Sequence, residues 1–511
     1  MPAVLRWLLA GTLLLALLPA AVQAQPIATG RTDHGPIQIR SDLDFLDPRN
    51  GVVSGTGTPE DPYIIAHWRI VDEPSANVDQ LWPLNNGDVN APVFISGTTA
   101  SFILRDLEVA PTAVYRTWGI MLSHLGGARL EDLVVHGWDV EGLSLLSVQD
   151  VQVLGGTFGE GQPVPSQELA NKQMAISVYA SSGVGIAQAT FTGNVGGAIE
   201  AGEVTGLTVA NNQFHDNLDH YRATVFAQAK DVVIRGNTIA HDGAQDAWGA
   251  IEVDGTHVVI EGNTITTTMG GIGVRGDDIT IHGNVVHDNY QRGITVYEAN
   301  NVLVQDNTID GISMPQQPTG SDGPGLSIRY SGHVAVHDLR ISHVAEWESL
   351  YVNELVGPVL IDGAVLEGGQ GAGATVGDGA PVTFCRVTIT GVQADEYGPG
   401  DGLELPTFGG QAHGAYDFLI ADSTITDNPG YGIASWEDDQ GEVVRTELKG
   451  NGMGRMNDHR LDDVDEPSHP ERLDGTLCAI APAAKEPKEA PNLGVAPFAV
   501  VLVALAVARR R

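Results

Sequence analysis

Asp254, Arg275, Tyr297 and Arg329 occupy equivalent places in successive short stretches, most of them opened by glycine and all alternating between apolar and other residues. A carboxylate beside an arginine can act as a general acid or base, and arginine with tyrosine suits anionic sugars, through carboxylate pairing and ring stacking. Extending the alignment adds Tyr179, a coil of ambiguous register near Glu200, then Gln228 and Asn353, with Glu252, Glu298 and Tyr330 beside them. Asp254, Arg275 and Arg329 are therefore the catalytic candidates. Tyr297, Gln228, Glu252, Glu298, Tyr330 and Asn353 are the candidate substrate contacts. The competing reading is a solvated strand face, where Arg, Tyr and Thr are common and an Asp254–Arg275 pair contributes little.

An internal repeat must position these residues. The stretch Val232-Val233-Ile234-Arg235-Gly236-Asn237-Thr238-Ile239 recurs at 258–265, 279–286 and 302–309, with weaker copies ending at Phe158, Phe191, Phe214, Ile341, Ile389 and Ile425. Alternation followed by a two-residue break reads as strand, turn, strand. A Gly-opened strand lies between copies, at 249–253, 271–274, 293–296 and 325–328. A period of about 23 residues is too short for a βαβ unit, which needs about 30. It predicts an all-β, single-stranded parallel β-helix of three strands per coil. About 14 coils over residues 101–450 would make a rod of roughly 65 Å. Asn212, Asn237, Asn263, Asn284 and Asn307 share one register, where asparagine tolerates the turn and can stack as a hydrogen-bonded ladder. They are read as scaffold.

The ends read as processing signals. Residues 1–24 carry Arg6, an apolar run and a small-residue cleavage site, the layout of a secretory leader. Residues 25–100 are the N-terminal cap, 101–450 the solenoid, and 451–490 a spacer rich in Asp, Glu, Pro and Ala. Residues 491–511 combine a short apolar segment with Arg509, Arg510 and Arg511, as a membrane anchor or sorting signal does. An exported protein held at the cell surface by its C-terminus is expected, and a monomer. The net charge of -37, from 64 acidic against 27 basic residues, argues against nucleic-acid partners. Export permits a disulfide between Cys385 and Cys478, the two cysteines of the chain. His215, His241 and His287, each followed by an aspartate, repeat after the Asn turn, but Thr267 interrupts the row and surface decoration is preferred to metal binding. No cofactor is predicted, and no residue pattern supports calcium.

The repeat resembles the right-handed parallel β-helix (pectate-lyase-like) superfamily, which includes pectate lyases, polygalacturonases, mannuronan epimerases, phage tailspikes and a copper-associated accessory protein of nitrous oxide reduction. The opening Gly55-Thr56-Gly57-Thr58 with Asp61-Pro62-Tyr63 is similar to that of archaeal secreted β-helix proteins, and the tail resembles archaeal surface-sorting signals. The paired-aspartate signature of polygalacturonases and the Asp-Pro-His-Asp signature of epimerases are missing. The resemblance implies a groove along one face that binds extracellular polysaccharide. The alternatives are a lyase or hydrolase acting at Asp254, Arg275, Tyr297 and Arg329, a structural or adhesive rod, and a copper-associated accessory protein. The three longest excursions, 159–173, 310–324 and 391–417, are expected to border that groove.

Overall fold

Alternation sends every second residue of a repeat inward, and stacking the repeats joins those residues into one core. The computed structural model describes residues 30–464 except 71–90, 111–117, 139, 160–173, 218–222, 243–248, 313–322, 346, 378, 396–397, 406–416, 436–439 and 457–462. Within it the strands of the repeat pair in parallel with their counterparts one coil away, building three faces. The third face is the most regular: sixteen short strands stacked in sequence order, from Thr32–His34 to Glu447–Lys449, fourteen of them between residues 101 and 450. Its inward positions include Phe158, Phe191 and Phe214, whose rings stack at 5.5 and 4.7 Å.

In the middle of the rod the Gly-opened strand and the apolar strand after it are one continuous, bent strand. Ile199–Ala210, Val225–Arg235, Ile251–Glu261, Gly270–His282 and Arg292–Gln305 each cross from the first face to the second. The pairing Ala229–Gly255–Gly276 runs through that corner, so no turn interrupts the ladder there. The opening glycines are required by packing. A Cβ on Gly271 or Gly293 would stand 2.2 Å from the next coil's carbonyl oxygen and 2.7 Å from a core side chain, Val286 or Ile309.

Two side-chain ladders lock the coils axially. Asn237 Oδ1 accepts from the backbone N–H and Nδ2 of Asn212, while Asn237 Nδ2 donates to Val209 O and to Asn263 Oδ1. The same pattern continues through Asn284 to Asn307, and all five asparagines are buried. A second ladder, at the corner between the third and first faces, links Asn194 to Asn217 and Asn217 to Asp242. Sequence reading missed it.

The residues assigned to the cap contribute strands to all three faces, together with an antiparallel pair, Val52–Ser54 with Tyr63–Ala66. Phe45 plugs the end of the core, stacked on Tyr63 at 4.6 Å and packed on Phe102 at 5.6 Å. Cys385 is fully buried and disulfide-bonded. Cys478, the expected leader at 1–24 and the expected anchor or sorting signal at 491–511 lie outside the described residues.

Burial pushes the Asp242 carboxyl from 3.8 up to about 6, against hydrogen bonds from Asn217 and Thr224. The unfolded chain releases this proton near pH 4 and the folded chain holds it to about pH 6, so the folded state is penalised above that range. Asp242→Asn restores the ladder chemistry and should stabilise the protein by about 2–3 kcal/mol at pH 8. The gain should fade toward pH 4. Denaturant unfolding at both values measures it, and an unstabilised variant at pH 8 contradicts the account.

Candidate functional site

Backbone pairing places the candidate residues in one axial file on the first face. Tyr179 pairs with Gly202, Gly202 with Gln228, Gln228 with Asp254, and Asp254 with Arg275. Further on, Tyr297 pairs with Arg329 and Arg329 with Asn353. Gly202 thus fills the coil that sequence left ambiguous. Glu200 stands two residues earlier, in a parallel inner file between Ser177 and Phe226. That inner file continues through Glu252, Gly273, Thr295, Ser327, Tyr351 and Thr375 to Glu404. Between Arg275 and the next coil the register slips, so Tyr297 and Glu298 together oppose Arg275. Such a bulge re-aims side chains at a sheet edge.

The outer file is a chain of planar groups. Arg275 stacks over Tyr297 at 5.0 Å, and its Nε lies 3.3 Å from Glu298 Oε2. Tyr297 and Tyr330 meet edge to face at 5.2 Å. Arg329 lies 5.5 Å from the Tyr330 ring and 5.9 Å from that of Tyr351, and its Nη2 donates to Glu354 Oε2 at 3.0 Å. Asn353 Nδ2 donates to Tyr351 Oη at 2.9 Å. The hydrogen bond from Tyr330 holds the Glu354 carboxyl below its usual range, with Arg329 adding to this against burial. Each exposed cation–π contact contributes only about 0.5–1 kcal/mol. Together they fix the directions in which the rings and guanidinium groups point.

Asp254 is differently placed. No described group hydrogen-bonds its half-buried carboxylate, which borders a shallow pocket of about 140 Å³ lined also by Phe226, Gln228, Glu252, Gly273 and Arg275. The pocket exists because Gly273 leaves a gap in the inner file. Its volume is below the ~300–1,000 Å³ of a site that encloses a whole small ligand.

Sequence reading missed the acidic end of the inner file. Glu348 is pushed up to about 7 by burial and by the charges of Glu404 and Asp395, although a hydrogen bond from Thr375 opposes this. Burial also raises Glu404, with Asp401 and Asp395 adding to it. The signal was available in sequence: Thr375 and Glu404 alternate with the core just as Asp254 does, two residues earlier in each coil.

The remaining candidates separate. His215 pairs with Asp216 and His287 with Asp288, whereas Asp242 turns into the buried ladder, away from a shared site with His241. Among the described residues no group of three or more His, Cys, Asp or Glu side chains is placed to hold a metal. Most of the first two excursions lies outside the described residues. The third contains a first-face strand, Asp401–Leu405, and so is two shorter connections.

The family model "Right handed beta helix region" matches residues 118–249 and 245–391, more than half of the sequence. The chain belongs to the right-handed β-helix family. No curated protein matches it. Among solved structures it is similar to the catalytic unit of a thermostable GH87 α-1,3-glucanase from Streptomyces thermodiastaticus, at 14% identity, covering 86% of this chain and 71% of that one, with a TM-score of 0.34. It is also similar to the tailspike of Escherichia coli bacteriophage HK620 in complex with a hexasaccharide, at 12% identity, 70% and 71% coverage and a TM-score of 0.36. A third is PfbA, a surface adhesin of Streptococcus pneumoniae, at 10% identity, 58% and 83% coverage and a TM-score of 0.36. These likenesses concern the fold.

Carboxyl NMR of Glu348 should show titration near pH 7, and Glu404→Gln should move it downward by removing a neighbouring negative charge. A titration that stays in place in the variant contradicts the cluster described above.

Proposed function

We propose that the protein binds an extended polysaccharide along its first face, from Gln228 to Glu404. In this reading it acts at the cell surface, exported by residues 1–24 and held there by residues 491–511. The observation that carries it is the cluster of Arg275, Tyr297, Tyr330, Arg329 and Tyr351 on and beside the outer file, whose planar groups are already oriented by one another. Successive coils lie about 4.8 Å apart, so a chain laid along the axis meets a polar or aromatic side chain at each step from Gln228 to Asn353. Tyrosine offers a ring with a polar tip, and guanidinium offers donors in a fixed fork. Because these groups are held in place before binding, less entropy is lost when a sugar is seated. The expected outcome is length-dependent binding of oligosaccharides, weakened about tenfold or more by Arg329→Ala or Tyr297→Ala. Titration calorimetry of the full chain measures this. Unchanged affinity in both variants makes the file an ordinary solvated face.

A second reading is favoured by Glu348. A carboxylic acid that keeps its proton to about pH 7, beside a second carboxyl group on Glu404, has the makings of a general acid with a base partner. This places any cleavage chemistry there and leaves Asp254, Arg275 and Arg329 to hold the sugar. New reducing ends, or unsaturated ends with uronate polymers, should then form with the wild type and disappear with Glu348→Gln. Retained turnover in that variant removes the second reading and leaves binding untouched.

A further inference from the structure

We infer that the outer file takes an uncharged polysaccharide, and that Glu298, Tyr330 and Glu354 are the positioning residues that make it so. The inference rests on the polysaccharide reading above and narrows its ligand. It begins with backbone geometry. Twenty-nine described non-glycine residues have a positive φ, and nineteen of these are Asp, Asn or His, the types that tolerate the left-handed region best. Of the other ten, six line a single corner: Ser147, Ala180, Glu203, Glu298, Tyr330 and Glu354. That corner borders the outer file. Gln188, Thr267, Arg386 and Arg445 lie at other corners.

On three successive coils the corner holds Glu298, Tyr330 and Glu354, at φ 47°, 51° and 54°. A long or aromatic side chain is disfavoured there, and local strain of this kind concentrates at functional edges. Each of the three acts on the file. Glu298 pairs with Arg275, Glu354 pairs with Arg329, and the Tyr330 ring bridges Tyr297 and Arg329.

The pairing sets the charge that a ligand meets. Both arginines carry a glutamate counterion from the corner, with side chains about half exposed. Glu252 and Asp254 add negative charge on the same face, within a chain of net charge -37. A polymer with a carboxylate on each ring would meet like charge and would compete with Glu298 and Glu354 for the arginines. A neutral ligand departs from the expectation that Arg and Tyr here suit anionic sugars. A hydroxyl-rich neutral chain instead finds donors on Arg and acceptors on Glu side by side.

The test uses the full-length protein with three soluble polymers: a neutral glucan, polygalacturonate and partly deacetylated chitosan. The wild type should bind the neutral glucan most tightly. The Glu298→Asn/Glu354→Asn double variant removes both counterions with a residue that accepts a positive φ. It should bind glucan about tenfold more weakly, gain affinity for polygalacturonate and melt at a higher temperature. The Glu298→Gln/Glu354→Gln pair should shift the affinities in the same way without the gain in melting temperature. Circular dichroism confirms folding of each variant. A wild type that prefers polygalacturonate or chitosan overturns the inference and leaves the polysaccharide reading standing. Unchanged affinities, or a lower melting temperature for the Asn variant, also overturn it. Binding to none of the three polymers removes the polysaccharide reading itself.

Discussion

Axial register between coils is the constraint on which everything else in this molecule depends. It sets Asp254 one step from Arg275 and Tyr297 one step from Arg329. Parallel backbone pairing alone would permit slippage, because a shift of two residues preserves the inward and outward sets. The asparagine ladders oppose that slip. Each interior asparagine hydrogen-bonds the coil before and the coil after, so displacing one coil would leave several buried polar groups unpaired. The glycines at Gly271 and Gly293 add a steric stop at the opposite corner. The five asparagines occupy the coils around which the candidate file is centred.

Much of this was legible in the sequence because the repeat obeys one period and one alternation. The asparagine register and the outer file both follow from counting along copies such as 232–239 and 258–265. Counting fails where the copies differ. The bulge at Glu298 is an extra residue in one coil, visible only when the neighbouring coil is laid against it. The ladder from Asn194 through Asn217 to Asp242 is hidden because Asp and Asn share one position, and because Asp242 follows His241 in sequence although its carboxyl turns into the core. The inner file is harder to read, because Glu200 and Glu252 are separated from Tyr351 and Glu404 by Gly273, Thr295 and Ser327, whose small side chains carry no such signal.

The face that results has an outer row of mutually braced arginines and tyrosines, and an inner row that narrows to Gly273, Thr295 and Ser327 in its middle and ends beside the buried carboxyl of Glu348. The long rigid scaffold holds both rows straight without needing a ligand to organise them, and this favours recognition of a polymer over capture of a small molecule. The same rigidity explains how strained corner residues can be tolerated. Glu298, Tyr330 and Glu354 are each fixed by paired strands on both sides.

The most direct measurement of the central claim is backbone hydrogen exchange of the full chain with and without saturating neutral glucan. The account predicts added protection confined to the first-face segments between Phe226 and Leu405. Protection centred instead on the corner around Gly236, Gly262 and Gly283, with the first face unchanged, would contradict it.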